Sequence, residues 1–347
     1  MKRALKRALA GIAIFFVLFS GIAVAGVAVI HGMQFSRIDP TDLNDHPAIA
    51  DFPGLAREKV TLQSGGNQLV GWYYPVADAK GIVVQAHGLG GTADAGLPNI
   101  AAFVADGWAV FALNNTGTAE SGGKTMRGFP QGVIDLDIAL RYLEGREDTR
   151  DLPLMLAGHS WGGYAVCAVL NYDHPNVKAV ASLAGFNSNT ENIMVSVKSM
   201  AGPLHYAIYP YFQAYNQILF GKAAFFTAVA GINRSGAHFL LLHGDADGSL
   251  DIQTNSILAH RAEITNPHAE YLVIEGGTHM SVLFDAQTNA YRDENWERLK
   301  ALREEHDGDV PEHILREYYN GLDRVRSQTY DPVLMERILT LFNNAIK

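Results

Sequence analysis

Residues 154–163 read Leu154-Met155-Leu156-Ala157-Gly158-His159-Ser160-Trp161-Gly162-Gly163. The stretch contains a G-x-S-x-G pattern, directly after an apolar run typical of a strand and directly before a run compatible with a helix. A serine hydroxyl is a poor nucleophile unless a sharp turn exposes it beside a base. Because such a turn crowds the backbone, we interpret Gly158 and Gly162 as positions without room for a Cβ atom. Ser160 is therefore the candidate nucleophile.

Strand-like and helix-like runs alternate on both sides of this stretch. The strand-like runs are continuously apolar, as expected for a parallel sheet covered on both faces, and the alternation predicts a doubly wound α/β domain. The predicted strands are Ile82–Ala86, Trp108–Leu113, Leu154–Ala157, Ala179–Leu183, Phe239–Leu242 and Tyr271–Ile274, preceded by a hairpin of Glu58–Gln63 and Gln68–Pro75. The predicted helices are Leu97–Asp106, Gly132–Leu143, Trp161–Asn171 and Ile252–Glu263.

The alternation stops between Phe186 and Ala237, in a stretch rich in Tyr and Phe. We expect short helices at 187–236 that form a cap over the site and line the substrate pocket with their inner face. The alternative is a plain helical extension of the fold with the aromatic residues as its core. The chain after the last strand is long enough for extra helices over 286–347, whose role the sequence does not indicate.

Two residues after the last predicted strands can complete a site with Ser160. Open α/β sheets place their sites at the carboxyl ends of strands. His279 follows the last strand in a Gly-rich loop and is the candidate base. Asp247 follows the preceding strand and can orient the imidazole and stabilise its charged form. Asp245 and Asp251 are rivals for that role, and we interpret Asp245 as a turn former.

A third Gly-rich turn, His87-Gly88-Leu89-Gly90-Gly91, follows the predicted strand Ile82–Ala86. This turn can present the backbone N–H of Leu89 to a developing oxyanion, opposite the N–H of Trp161. A phosphate-binding loop is disfavoured because the chain has no Walker or G-x-G-x-x-G pattern here. We interpret His87 as a structural residue of the loop.

Taken together, these motifs resemble the α/β-hydrolase family, most closely its serine aminopeptidase and monoacylglycerol-lipase-like branch. The resemblance covers roughly residues 58–285. It implies an α/β-hydrolase fold, with a mostly parallel doubly wound sheet and a helical cap insertion. It also implies a catalytic triad and two oxyanion donors. The triad would be Ser160, Asp247 and His279, and the donors would be Leu89 and Trp161.

One run departs from the family pattern. Many relatives carry Asp-x-Arg-Gly-x-Gly-x-Ser after the fourth strand, where this chain has Asn114-Asn115-Thr116-Gly117-Thr118-Ala119-Glu120-Ser121. The Asp and the Arg are missing, so the substrate preference of relatives does not transfer to this chain.

The expected activity is that of a serine hydrolase on a carboxylic ester with an apolar acyl group, through an acyl-enzyme and without metal or organic cofactor. A small-molecule or lipid-like ester is the expected substrate. A serine exopeptidase or an acyltransferase could use the same residues. Glu191 is the one acidic residue between Phe186 and Ala237, which disfavours recognition of a substrate amine by the insertion. A non-catalytic binding protein on the same fold is the third alternative.

The N-terminus reads as a membrane anchor. An uncharged apolar run from Ala8 to Ile30 would be about 34 Å long as a helix, enough for a transmembrane helix. Basic residues precede it, which favours a single-pass protein in the cell membrane with its body outside the cytoplasm. The predicted divisions are an anchor at 1–31, a connector at 32–57 and a hydrolase domain at 58–347. Cleavage after Ala23-Val24-Ala25, which would release a secreted protein, is the alternative.

Composition narrows the class further. The net charge is −9 and no basic stripe follows the N-terminus, so we expect no nucleic-acid partner. Cys167 is the single cysteine, so the chain forms no internal disulfide, and we interpret this residue as core packing. The sequence does not indicate the oligomeric state.

Overall fold

A computed structural model of the protein describes residues 2–39 and 41–347. Met1 of the predicted anchor and Pro40 of the predicted connector lie outside the described residues. The described chain forms an eight-stranded sheet in the order β1-β2-β4-β3-β5-β6-β7-β8. The strands are β1 Glu58–Ser64, β2 Asn67–Tyr74, β3 Ile82–Ala86, β4 Ala109–Asn114, β5 Leu154–His159, β6 Val177–Leu183, β7 His238–Gly244 and β8 Ala269–Ile274.

Helices precede, flank and follow this sheet. Those up to β6 are α1 Lys2–Gln34, α2 Leu97–Ala105, α3 Phe129–Gly145 and α4 Trp161–Ala168. Those after β6 are α5 Asn189–Ala201, α6 His205–Phe220, α7 Ala228–Arg234, α8 Ala286–Glu305, α9 Glu312–Asn320, α10 Arg324–Gln328 and α11 Pro332–Asn344.

The sheet is mostly parallel, which confirms the predicted doubly wound architecture. All pairs among β3 to β8 are parallel, whereas the pairs β1–β2 and β2–β4 are antiparallel. Successive strand residues point to opposite faces, so each face has its own apolar layer. Val84 and Leu156 join α3 and α4 on one face. Val83 and Met155 join α2 and α11 on the other.

The predicted helix Ile252–Glu263 is wrong over its first half. Only Ile257–Glu263 is helical, as 3-10 turns. The preceding residues form a turn in which the Asp251 side chain accepts the Gln253 N–H at 2.9 Å. Ser256 then accepts the Ala259 N–H at 3.0 Å and begins the short helix. Asp and Ser side chains compete with helical hydrogen bonds in this way.

The insertion between β6 and β7 is helical and packs beside α1. Ser20 Oγ of α1 lies 2.7 Å from Tyr211 Oη of α6, and the Phe19 and Tyr211 rings are 5.9 Å apart. Ile193 and Phe212 enter the apolar layer that contains α3 and α4. The boundaries of the anchor, connector, hydrolase domain and cap insertion stay predictions.

Helix α1 has the length and composition of a membrane span. Its window Val17–Gln34 has a mean hydropathy of 1.7 and is long and apolar enough to cross a bilayer. The end of the helix is fixed to the folded body, because Phe35 is buried and packs edge-on against Phe129 at 4.8 Å.

Candidate active site

Ser160 lies on a strained turn between β5 and α4. Its φ of 57° and ψ of −116° are unusual for a residue with a side chain, and such strain is found at functional sites. A Cβ on Gly158 would lie 2.5 Å from the carbonyl carbon of Gly162, and one on Gly162 would lie 2.1 Å from the Ala86 oxygen. The turn therefore requires glycine at both positions, as the sequence predicts.

Three side chains from three loops meet at the carboxyl edge of the sheet. His279 Nε2 lies 2.8 Å from Ser160 Oγ, and His279 Nδ1 lies 2.7 Å from Asp247 Oδ2. An ionised carboxylate only accepts hydrogen bonds, so Nδ1 carries the proton and Nε2 is left to accept from the hydroxyl. The structure thus brings together the three residues that the motifs single out, in an arrangement able to remove a proton from Ser160.

The Asp247 carboxylate is buried and heavily hydrogen-bonded. Its Oδ1 accepts the backbone N–H groups of Ser249 at 2.8 Å and Leu250 at 2.9 Å, and His243 Nε2 lies 3.2 Å from Oδ2. Burial alone would raise the pKa of Asp247, but hydrogen bonds from His243, His279 and the Leu250 N–H outweigh it and hold the pKa well below its usual range. Asp247 is therefore an anion at neutral pH, which suits it to stabilise an imidazolium.

The rival carboxylates, Asp245 and Asp251, form hydrogen bonds to the backbone of the loops. Asp245 Oδ1 accepts the Gly276 N–H at 2.7 Å and so ties the loop after β7 to the loop after β8. Asp251 Oδ1 accepts the Gln253 N–H within its own turn. The structure places Asp247, and neither rival, within hydrogen-bond distance of His279.

His159, which the sequence analysis did not single out, contacts the backbone and the ring of His279. Its Nε2 lies 2.9 Å from the His279 backbone oxygen, and the two rings are 4.8 Å apart. Burial lowers the pKa of His159 to about 3, with a smaller contribution from the nearby His279, so the ring is neutral at pH 7. Its place directly before Ser160 was the available signal, but the contact depends on how the β8 loop folds back.

The loop after β3 lies against Ser160. A Cβ on Gly88 would stand 3.6 Å from Ser160 Cβ. His87 holds this loop, with Nδ1 2.8 Å from the Gly88 oxygen and Nε2 accepting the Asn115 N–H at 3.2 Å. Burial lowers the pKa of His87 to about 4, as befits a neutral structural residue.

The two predicted oxyanion donors occupy the expected loop and helix. Leu89 follows Gly88, and Trp161 begins α4 directly after Ser160. Within the described residues, neither backbone N–H donates a hydrogen bond to the protein. The first N–H groups of a helix have no partner inside the helix, so the Trp161 N–H is available to an anion.

A cavity of about 300 Å³ opens beside Ser160 and His279. Much of its wall is apolar, and no described residue of 187–236 lines it. The lining outside the Gly-rich turns comprises Asp45, His46, Gln85, Ala86, Thr92, Ala93, Ala95, Gly96, Asn99, Phe103, Ala112, Ala157, Met280, Leu283, Phe284, Arg292, Gln328 and Tyr330. This cavity is built by β3, α2, the connector and the C-terminal segment, and a cap of 187–236 over the site stays a prediction.

A larger cleft of about 1070 Å³, with many charged residues in its lining, adjoins this cavity. The connector forms one side of the cleft and helices α8 to α10 form the other, with Trp72 and Trp296 among the lining residues. The cavity and the cleft share His46, Met280 and Arg292. The extra C-terminal helices thus form the approach to Ser160.

The run 114–121, which departs from the family pattern, is held by hydrogen bonds to its backbone. Ser121 Oγ donates to the Asn114 oxygen at 2.5 Å, and the Arg37 guanidinium donates to the backbone oxygens of Ala119, Ser121 and Gly123 at 2.7 to 2.9 Å. Arg37, a residue of the connector, therefore holds the backbone of this run in place. Among the described residues, no cluster of three His, Cys, Asp or Glu side chains could hold a metal ion.

Comparison with known proteins agrees with the fold. The sequence model of the family described as "Serine aminopeptidase, S33" matches residues 77–224, a stretch that contains Ser160 and ends before Asp247 and His279. A search of curated proteins finds no match.

Among solved structures, the Pyrococcus furiosus esterase Pf2001 is similar in two crystal forms. One has a TM-score of 0.54 and 15% identity, and the other 0.53 and 14%; each alignment covers 78% of this chain and 98% of the esterase. At such identity the likeness concerns the fold. With the strand order and the turn at Ser160, it shows that the chain has the α/β-hydrolase fold.

Proposed function

We propose that this protein is a serine hydrolase that cleaves a carboxylic ester through an acyl-enzyme. One observation carries the proposal. His279 lies within hydrogen-bond distance of both Ser160 Oγ and the Asp247 carboxylate, beside a cavity that can hold a substrate. A nucleophile, a base and a group that orients the base are the parts that acyl transfer requires.

The reaction proceeds in two halves. Ser160 Oγ attacks the ester carbonyl carbon while its proton passes to His279 Nε2, and the oxyanion accepts hydrogen bonds from the Leu89 and Trp161 N–H groups. The intermediate collapses, His279 returns the proton to the departing alcohol, and the acyl group stays on Ser160. Water then attacks the acyl carbon as His279 takes its proton, and collapse releases the acid and restores the Ser160 hydroxyl.

The two cavities suggest which parts of the ester go where. Phe103, Leu283 and Phe284 give the inner cavity an apolar wall, which favours an apolar acyl group. Its volume of about 300 Å³ is at the lower end for ligand sites, so a short or medium acyl chain fits better than a long one. The wider cleft, whose lining includes many charged residues, has room for the alcohol portion.

An aminopeptidase is the less favoured alternative. Such an enzyme needs a carboxylate for the substrate amine, and Glu191 lies beside His260 at 3.2 Å, outside the inner cavity. Asp45 does line the cavity, but its carboxylate accepts from Gln328 at 2.9 Å and lies 3.7 Å from Arg292. A paired carboxylate is a poor receptor for a further cation.

We also propose that α1 anchors the protein as a single membrane span, with the hydrolase domain on the side away from the cytoplasm. The length and hydropathy of the helix and the basic residues at its start support this topology. Secretion after cleavage near Ala25 is the alternative. N-terminal sequencing of the mature protein distinguishes a start at Met1 from a start at Gly26.

The test of the activity is hydrolysis of p-nitrophenyl esters by the full-length protein in detergent micelles. We expect turnover of acetate, butyrate and octanoate and much weaker turnover of palmitate. Ser160→Ala should abolish turnover, and Ser199→Ala, an exposed serine of α5, should keep it. Turnover that survives Ser160→Ala, or no turnover of any ester by folded protein, would contradict the proposal. Aminoacyl-naphthylamides in the same assay test the peptidase alternative.

A further inference from the structure

We propose that α5 and α6 form a helical hairpin embedded in the same bilayer as α1, entering it from the side of the hydrolase domain. This inference rests on the proposed span of α1. It assigns the insertion a lipid environment rather than a role over the active site, and the partner of its exposed face is the acyl-chain region of a phospholipid bilayer.

The first argument is depth. If Ala8–Ile30 spans the bilayer, Phe19 and Ser20 lie near its middle. These are the residues that touch Tyr211, through the 2.7 Å contact from Ser20 Oγ and ring packing at 5.9 Å. A helix cannot touch the middle of a span from outside the membrane, so Tyr211 must lie within the apolar layer.

The second argument is the direction of α6. Tyr211 lies beside Ser20, while the Tyr215 ring lies 5.4 Å from His31, near the end of α1. Helix α6 therefore rises alongside α1 towards the hydrolase domain. The connection between α5 and α6, at Gly202, is then the deepest part of the insertion.

The third argument is composition. Residues 199–221 contain no Asp, Glu, Lys or Arg. Around the tip, Met200 is 76% exposed, Leu204 53% and Tyr206 76%, which is costly in water and favourable in lipid. Lys198 is the nearest charge, and its long side chain can reach towards the membrane surface.

The fourth argument concerns His205 and Pro203 at the tip, neither of which leaves a backbone group in need of water. His205 Nδ1 lies 2.7 Å from the Gly202 oxygen, so the ring can donate to a carbonyl at the end of α5. Pro203 has no N–H to satisfy. Because a bilayer core offers no water to exposed backbone groups, such internal partners are what a buried helical turn requires.

The apolar face of the hairpin continues that of the span. A cavity of about 370 Å³ lies between α1 and the two helices. Ile22 and Gly26 of α1 line it, as do Val197, Leu204 and Ile208 of the insertion. The space has the shape and chemistry for a lipid acyl chain, and it extends the apolar surface from the span onto the hairpin.

The test measures depth with a fluorophore on the full-length protein in phosphatidylcholine vesicles. Three variants each add one cysteine at an exposed position: Leu204→Cys at the tip, Leu18→Cys on the span and Val333→Cys on α11. The native Cys167 is buried and its thiol pKa is raised to about 12, so it resists labelling; labelled parent protein is the blank. Each thiol receives a nitrobenzoxadiazole group, and lipids with a nitroxide on the acyl chain quench it.

We expect the Leu204 and Leu18 labels to be quenched at least threefold more than the Val333 label. Quenching at Leu18 with a Leu204 label that behaves like the Val333 label would overturn the embedded hairpin while leaving the span intact. Absence of quenching at both positions would overturn the span and the hairpin together. Reaction of each variant with a fluorophosphonate shows separately whether the hydrolase domain is folded and active.

Discussion

Asp247 gathers four hydrogen-bonding contacts on one buried carboxylate, and only one of them comes from His279. Asp247→Asn preserves the shape but removes the charge and offers an N–H where His279 needs an acceptor. We expect kcat to fall roughly 10³–10⁴-fold, as when the orienting aspartate of a triad is lost. Ester hydrolysis measures the effect, and Asp245→Asn is the matched control, expected to change kcat only slightly. Equal losses in both variants would show that the loops matter and not the charge.

His159 is a positioning residue for His279. His159→Phe keeps an aromatic ring beside His279 but loses the contact to its backbone oxygen. A hydrogen bond of this kind contributes about 0.5–1.5 kcal/mol, so we expect kcat to fall roughly 2–10-fold with KM little changed. His159→Gln, which restores a donor, should recover part of the loss. A rise in KM with an unchanged kcat would mean that His159 acts on substrate binding instead.

At the level of single residues, the sequence predicts the site well. The glycines around Ser160 and the places of Asp247 and His279 follow from local rules about strand ends and chain order. His159 and Arg37 could not be found in that way. Each acts on the backbone of a segment far away in the chain, and no local pattern encodes such a contact.

Among the elements, the loop from β8 to α8 has the most direct influence on the substrate. Phe284 lies in that loop and lines the inner cavity, whereas Phe225 lies in the insertion, outside it. Phe284→Ala should lengthen the preferred acyl chain, because the removed ring leaves room beside Phe103. Phe225→Ala should leave the chain-length profile unchanged. The p-nitrophenyl ester series measures both profiles. A profile that shifts with Phe225→Ala would mean that the insertion lines the acyl-binding pocket.

The insertion shows where element-level prediction stops. Its helices were predictable from composition, but the surface against which they pack was not. Aromatic residues such as Tyr211 suit a substrate pocket and a helix interface equally well, and only the contact with Ser20 distinguishes the two. The sequence pattern predicts a helix over 252–256, but Asp251 and Ser256 form local hydrogen bonds that compete with helical ones.

For the whole molecule, buried histidines couple stability to pH. The folded pKa values of His87 and His159 are about 4 and about 3, against about 6.5 in an unfolded chain. Below pH 6.5 the unfolded state binds more protons, so each ring lowers the free energy of unfolding by roughly 2 kcal/mol at pH 5. Burial raises the pKa of Asp135, so protonation of this carboxyl as the pH falls increases the free energy of unfolding and opposes the effect of the histidines. The contribution of one histidine therefore shows in the difference between the pH dependence of a variant and that of the parent.

We expect the Tm in detergent to fall between pH 7.5 and pH 5, and to fall less steeply in His87→Gln. His313→Gln, at an exposed histidine of α9, is the control and should match the parent slope. An identical pH dependence in all three proteins would contradict the assigned burial of His87.

The overall architecture was largely readable from the sequence, because continuous apolar strands alternating with helices admit few folds. The route to the site was not. It depends on the connector and on α8 to α10, whose polar sequences carry no signal for the cleft that they form. Long-range packing of polar segments is decided by the whole molecule and is invisible to local patterns.

The most direct test of the account is the position of a fluorophosphonate adduct. Full-length protein is treated with the reagent, digested and analysed by mass spectrometry, alongside His279→Ala and His313→Ala. We predict one adduct, on the peptide that contains Ser160, present in the parent and in His313→Ala and lost in His279→Ala. An adduct at another residue, or no adduct on folded and intact protein, would contradict the claim that Ser160 is a nucleophile activated by His279.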